Sequence, residues 1–174
     1  MKNNFLEIIR TRRSCRSYKS EQITDEQLNA VLEAGTYAPT SRGMQSPFIV
    51  AVQDKTLLKL LAEMNAKVMG TATNPYYDAP TYVLVFVPKD FVNGVYDASL
   101  VLENMMLAAH ALGLGSCWIH REREMFATDE GILLMKQWGL PDGLVGIGAL
   151  SLGYPDGDYI PSKPRKEGYT RIIR

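Results

Sequence analysis

Apolar residues recur at helical spacing along most of the chain, interrupted by a few short unbroken apolar runs. Phe5, Leu6, Ile8 and Ile9 predict a first helix, capped by Asn3 or Asn4 and stopping near Thr11 where arginines begin. Thr24-Asp25-Glu26-Gln27 has the form of a capping box, and Leu28, Val31, Leu32 and Ala34 carry a second helix to Gly35. Lys55 to about Met69 repeats the pattern through Leu57, Leu58, Leu60, Leu61 and Met64. Asp97 to Leu112 is apolar nearly all round, which predicts a helix buried on most faces. Asp129 to Trp138 makes a shorter one, stopped by Gly139 and Pro141.

Between these lie the strand-like runs. Phe48 to Val52 follows a proline-stiffened loop, and Tyr82 to Val87 is β-branched and aromatic between Pro80 and Pro88. Ser116 to Ile119 follows Gly113-Leu114-Gly115. Leu144 to Leu152 reads as a strand despite Gly146 and Gly148, which mark close packing of backbone. Beyond Gly153, Pro155, Pro161 and Pro164 hold an extended tail anchored by Tyr154, Tyr159 and Ile160. Helices and strands mix without repeat or linker, so the expectation is an α+β fold forming one domain over residues 1–174.

Composition narrows the function classes. A 46% hydrophobic and 22% charged chain is globular, and 19 basic against 19 acidic residues leave no net field for nucleic acid or an anionic membrane. No apolar segment reaches spanning length, and the start lacks the pattern of a signal peptide, so a cytoplasmic protein is expected. Cys15 and Cys117 lack metal-ligand spacing and read as free thiols, and two histidines make an ordinary metal site hard to build.

The candidate chemistry concentrates in a few places. Arg10 to Arg16 sets four arginines, Thr11 and Ser14 in seven residues, either a solvated basic turn closing the first helix or an anion site whose side chains do the binding, because it follows a helix C-terminus. The loop Ala38 to Pro47 is either an ordinary helix-to-strand connection or one whose hydroxyls and Gln45 amide recognise a polar small molecule. Asn74-Pro75-Tyr76-Tyr77 is either the wall of a pocket or a packed loop, and Ser116-Cys117-Trp118-Ile119 is a plausible ligand edge. Lys163, Arg165 and Lys166 form a second basic cluster. A dinucleotide fingerprint is missing, since Gly146-Ile147-Gly148 has no acidic partner at the required spacing.

Taken together, Arg12-Arg13-Ser14-Cys15-Arg16, Ala38 to Pro47, Ala111 to Ile119 and Leu152-Gly153-Tyr154-Pro155 with Lys163-Pro164-Arg165 make the chain resemble the nitroreductase family of flavoproteins. The resemblance implies a three-layer fold with a mostly antiparallel sheet, and an intertwined homodimer with an extended C-terminal tail. It implies FMN held without a covalent link, with the pockets at the dimer interface. Arg12, Arg13, Ser14 and Arg16 take the phosphate, ribityl chain and pyrimidine edge by position, and Lys163 and Arg165 match basic phosphate contacts. Pro39, Thr40 and Ser41 would reach the flavin from the partner subunit, with Gln45 beside them, and Asn65 matches an amide on the ring or ribityl chain. Cys117, Trp118 and Ile119 correspond to backbone beside the isoalloxazine, although His120-Arg121 stands where many relatives have Gly-Gly, and Gly43 where Asn is frequent. The implied activity passes electrons from NADH or NADPH to a nitroaromatic, quinone or similar planar acceptor by a ping-pong cycle. Tyr76, Tyr77 and Phe91 are candidates for the acceptor's side of the pocket. The flavin carries the chemistry, so no protein acid, base or nucleophile is required. Reductive dehalogenation on the same fold, and a flavin-storage or phosphoryl-ligand binding protein without turnover, remain as alternatives.

Overall fold

A computed structural model describes residues 4–159 and 161–174. Asn3, Ile160 and the side chain of Asn4, to which a cap and an anchor were ascribed, lie outside them. In chain order the elements are α1 (Asn4–Thr11), α2 (Asp25–Thr36), a 3₁₀ turn (Ser41–Gly43), β1 (Phe48–Val52), α3 (Lys55–Met69) and β2 (Thr81–Pro88). There follow α4 (Gly94–Ala111), β3 (Gly115–Ile119), α5 (Glu122–Met125), α6 (Asp129–Gln137) and β4 (Leu144–Gly153). The capping box starts α2 as expected: Thr24 Oγ1 accepts from Gln27 N while Gln27 Oε1 accepts from Thr24 N. Asp54 caps α3 and Thr128 caps α6, each through its side-chain oxygen.

The sheet runs β1-β2-β4-β3, every neighbour antiparallel. β2 is central and buried on both faces, and its alternating side chains feed two cores. Tyr82, Leu84 and Phe86 pack with α3, α5 and α6, whereas Val83, Val85 and Val87 pack with α2 and α4. The result is the three-layer α+β arrangement the sequence implied. α4 starts at Gly94, three residues before the polar-to-apolar switch at Asp97, and one side of it is open: Tyr96 is 66% and Leu100 44% exposed.

The glycines of β4 are explained by what lies against them. A Cβ at Gly148 would fall 2.7 Å from Trp118 Nε1, and one at Gly146 would fall 2.7 Å from the Glu122 carbonyl oxygen. The close packing read from the sequence is present at both positions, and at Gly146 it seats a helical turn, α5, that no sequence pattern announced. Among the described residues no helix is long and apolar enough to cross a membrane.

Candidate functional site

The arginine stretch leaves α1 and runs along the free edge of β3. Cys15 N donates to Ser116 O at 2.9 Å, Lys19 N to Tyr154 O at 2.9 Å and Asp156 N to Ser17 O at 3.0 Å. Residues 14–19 are thus laced between β3 and the start of the tail, with Cys15 buried as the inward peg. This holds Arg12, Ser14 and Arg16 on one side of Cys117, where burial pushes the Cys117 thiol up against the opposing pull of Arg16, Ser14 and Arg12. Both cysteines are free.

The arginines have different work. Arg13 Nη1 donates to Arg10 O at 2.8 Å and to Arg12 O at 2.6 Å, so it caps the C-terminal carbonyls of α1. Arg16 reaches over the ring of Tyr77, its guanidinium carbon 5.9 Å from the centroid. Arg12 Nη1 is buried and has no hydrogen-bond partner. An unpaired, buried cationic donor is costly, and a bound anion removes the cost. Behind it, His110 Nε2 lies 2.8 Å from Thr11 Oγ1, tying α1 to the last turn of α4. Burial, then Arg12 and Arg13, hold this imidazole below its ordinary range.

The polar loop sits elsewhere. Ser41 N donates to Asp97 Oδ1 at 3.0 Å, Asn93 Nδ2 donates to Ser41 Oγ at 2.8 Å, and Gln45 N donates to Thr40 Oγ1 at 3.0 Å. Pro39, Thr40, Ser41 and Gln45 are therefore pinned to the N-terminal end of α4, whereas the arginine stretch is pinned to its C-terminal end. Asp97 and His110 lie about 20 Å apart along the axis of that helix at ~1.5 Å per residue. Within the chain the two clusters do not meet. Lys163 and Arg165 are exposed, and Arg165 Nη2 donates to Lys163 O.

Asn65 and Tyr76 are placed inward. Asn65 is fully buried, with Nδ2 donating to His120 O at 2.8 Å and Oδ1 accepting from Arg121 Nε at 2.8 Å. Its carboxamide fastens the turn after β3, where Arg121 adopts φ 88°. Tyr76 is 0% exposed and stacks on Tyr82 with centroids 4.0 Å apart, so of the two readings of that loop it follows the packed one. Tyr77 and Phe91 are half-buried. Trp118 is half-buried over Gly148, and Ile119 is buried.

One buried acid escaped the sequence reading. Glu122 is fully buried beneath the His120-Arg121 turn, and its Oε1 accepts from Tyr76 OH at 2.9 Å. In the run His-Arg-Glu-Arg-Glu it reads as a solvated charge, and only the slot at Gly146 reveals otherwise.

This arrangement of sheet, arginine stretch and tail has counterparts. A model of the nitroreductase family matches residues 9–154. The chain belongs to the nitroreductase family. A crystal structure of a Bacteroides fragilis nitroreductase with bound FMN superposes with a TM-score of 0.91 at 30% identity, covering 99% of this chain and all of that one. Among curated relatives, an Archaeoglobus fulgidus protein provisionally named an NADH dehydrogenase/NAD(P)H nitroreductase is 34% identical over 155 residues, covering 86% of this chain and 84% of its own. The NADPH-flavin oxidoreductase of Vibrio harveyi is 29% identical over 171 residues, covering 88% of this chain and 67% of its own.

Proposed function

We propose that this family member is an FMN-dependent oxidoreductase that moves electrons from NADH or NADPH to a small planar acceptor, a nitroaromatic or a quinone, by a ping-pong cycle. The observation that carries the reading is the buried, unpartnered Nη1 of Arg12, grouped with Ser14 and Arg16 around Cys117. A donor set of guanidinium and hydroxyl groups fits the phosphate and ribityl oxygens of FMN. Relatives named FMN reductase and solved nitroreductases with bound FMN support the same cofactor.

When bound, FMN supplies the hydride chemistry. Arg12 and Ser14 would hold its anionic end, with Lys163 and Arg165 as further basic contacts from the tail. Arg16 rather than Arg13, which caps α1, would supply the positive charge that favours the reduced ring. The Cys117-Trp118-Ile119 edge would lie beside the flavin ring, and the backbone at His120-Arg121, fixed by Asn65, would offer an amide to it. Tyr77, under Arg16, forms the acceptor's side of the opening.

A second copy of the chain completes the site. The loop holding Pro39, Thr40, Ser41 and Gln45 lies at the wrong end of α4 for its own arginine stretch, and apolar side chains stand exposed between the two ends. Leu6, Ile9, Tyr37, Tyr96 and Leu100 expose 44–78% of their surface, a face suited to pairing with its own copy.

Purified protein is expected to be yellow, to release FMN on denaturation, to elute as a dimer and to bleach on anaerobic mixing with NADH or NADPH. A colourless preparation that takes up no FMN refutes the reading; a yellow one that bleaches with neither donor leaves a binding protein. Arg12→Ala combined with Arg165→Ala is expected to lose FMN, and full retention would refute the two-cluster phosphate grip.

A further inference from the structure

The flavin chemistry leaves one buried acid unexplained. Glu122 is 0% exposed, its Oε1 takes the Tyr76 hydroxyl hydrogen bond, and its Oε2 has no partner. No cation reaches ion-pair distance of it among the described residues. Arg121, next in sequence, turns its Nε to Asn65 instead. The titratable and charged groups that act on it are Tyr76 from the loop before β2, itself backed by Tyr82, and Arg121 and Glu124 from the local segment, while β4 brings Gly146 against its main chain and Cβ, and Asn65 of α3 holds the turn above it. Burial and the unpartnered oxygen favour the neutral acid, whereas the Tyr76 hydroxyl and the backbone amide favour the carboxylate, and these opposed effects let a unit of charge nearby bias the balance between the two states.

Such a change of charge occurs close by if the flavin reading above holds, on which this inference rests. Glu122 is three residues beyond Ile119, so its Cα lies within about 11 Å of the edge ascribed to the isoalloxazine. We propose that Glu122 is a redox-linked proton site of this enzyme, becoming more protonated from solvent as hydride arrives at the cofactor and giving that proton back when the hydride leaves.

Atoms and electrons balance over the cycle. NAD(P)H breaks its C4–H bond, gives up two electrons and one proton as hydride, and departs as NAD(P)+. The hydride brings one negative charge to the cofactor, and Glu122, in those molecules where it is still the carboxylate, offsets part of that charge's effect by forming an O–H bond with a solvent proton. The acceptor then takes the hydride and one solvent proton, and Glu122 returns its own proton to solvent as the carboxylate. The sum is NAD(P)H plus acceptor plus one proton giving NAD(P)+ plus the two-hydrogen-reduced acceptor.

Burial raises the Glu122 carboxyl to about 7, against the lowering effects of Tyr76, its own backbone amide and Arg121 and with the raising effect of Glu124. Two unit charges about 10 Å apart at an effective dielectric of about 20 displace a proton equilibrium roughly tenfold. Its half-protonation point is therefore expected to move up by about one pH unit on reduction.

The test uses FMN-loaded protein, with bound flavin counted by absorbance first. Redox-difference infrared spectra of the wild type are expected to show a protonated-carboxyl band that grows on reduction, and the midpoint potential is expected to change slope with pH near neutrality. Glu122→Gln is expected to lose both while keeping its flavin. Tyr76→Phe removes the donor that favours the carboxylate, so its change of slope is expected at higher pH than in the wild type. An FMN-loaded wild type with neither signature overturns the proposal, and so do variants that both keep them unchanged. A wild type that binds no FMN refutes the flavin reading itself, and this proposal with it.

Discussion

The substitution Glu122→Gln also tests the folded chain without any cofactor. The carboxyl is raised from 4.5 to about 7 by burial before any other cause, with Tyr76 working in the opposite direction. An acid whose pKa is higher folded than unfolded stabilises the fold fully below its unfolded value. That contribution is lost as pH rises through the folded value. A span of about 2.5 pH units at about 1.4 kcal/mol each amounts to about 3 kcal/mol, lost between about pH 4.5 and about pH 7. The glutamine side chain has no proton to lose in this range, and its amide carries a penalty of about 1–3 kcal/mol for the donor placed where Oε2 has no partner. That penalty does not vary with pH. Urea unfolding followed by tryptophan fluorescence, repeated across this interval, is expected to show the wild type losing about 3 kcal/mol relative to the variant as pH rises. Two stability curves that stay parallel from acid to neutral pH would refute the reasoning, because the carboxyl would then titrate alike in the folded and unfolded chains.

Other outcomes follow from the packing and the caps. Thr24→Ala removes the side-chain half of the capping box on α2 and is expected to cost about 1 kcal/mol, lowering the thermal midpoint by about 2–4 °C. Gly131→Ala puts a Cβ 2.3 Å from the Met125 carbonyl oxygen and is expected to cost about 3 kcal/mol in urea unfolding, because backbone rather than a flexible side chain must move. Asn65→Ala strands the His120 carbonyl and the Arg121 guanidinium and is expected to cost about 2–3 kcal/mol. Combined with Arg121→Ala, it is expected to fall short of additivity by about 1 kcal/mol in a double-mutant cycle.

Wherever pattern and burial coincide, the fold could be read from the chain. The capping box at Thr24, the extent of α3 and the double-sided β2 each follow from local residue order. α5 could not be read, because its charged run looks solvated and its burial depends on Gly146, more than twenty residues later in the chain. α4 begins earlier than its apolar pattern because Gly94 is admitted for its size, with Val87 2.8 Å from where a Cβ would stand. For the site, the nearness of Arg12, Ser14 and Arg16 to one another was legible in the chain, but the separate duty of Arg13 was not, since carbonyl capping depends on where α1 stops. Asn65 and Tyr76 show the same limit. Amide and phenol are residue types that bind ligands, yet here both meet partners brought in by the turn after β3.

The left-handed backbone at Arg121 has a consequence for how ready the site is. Glycine at such a position explores many conformations in the free protein and must surrender them when a ligand is clasped. An arginine held at φ 88° and latched to Asn65 has already surrendered them during folding. The peptide between His120 and Arg121 is therefore fixed before any ligand arrives, and if the flavin lies along this edge as proposed, none of its binding energy is spent on ordering that peptide.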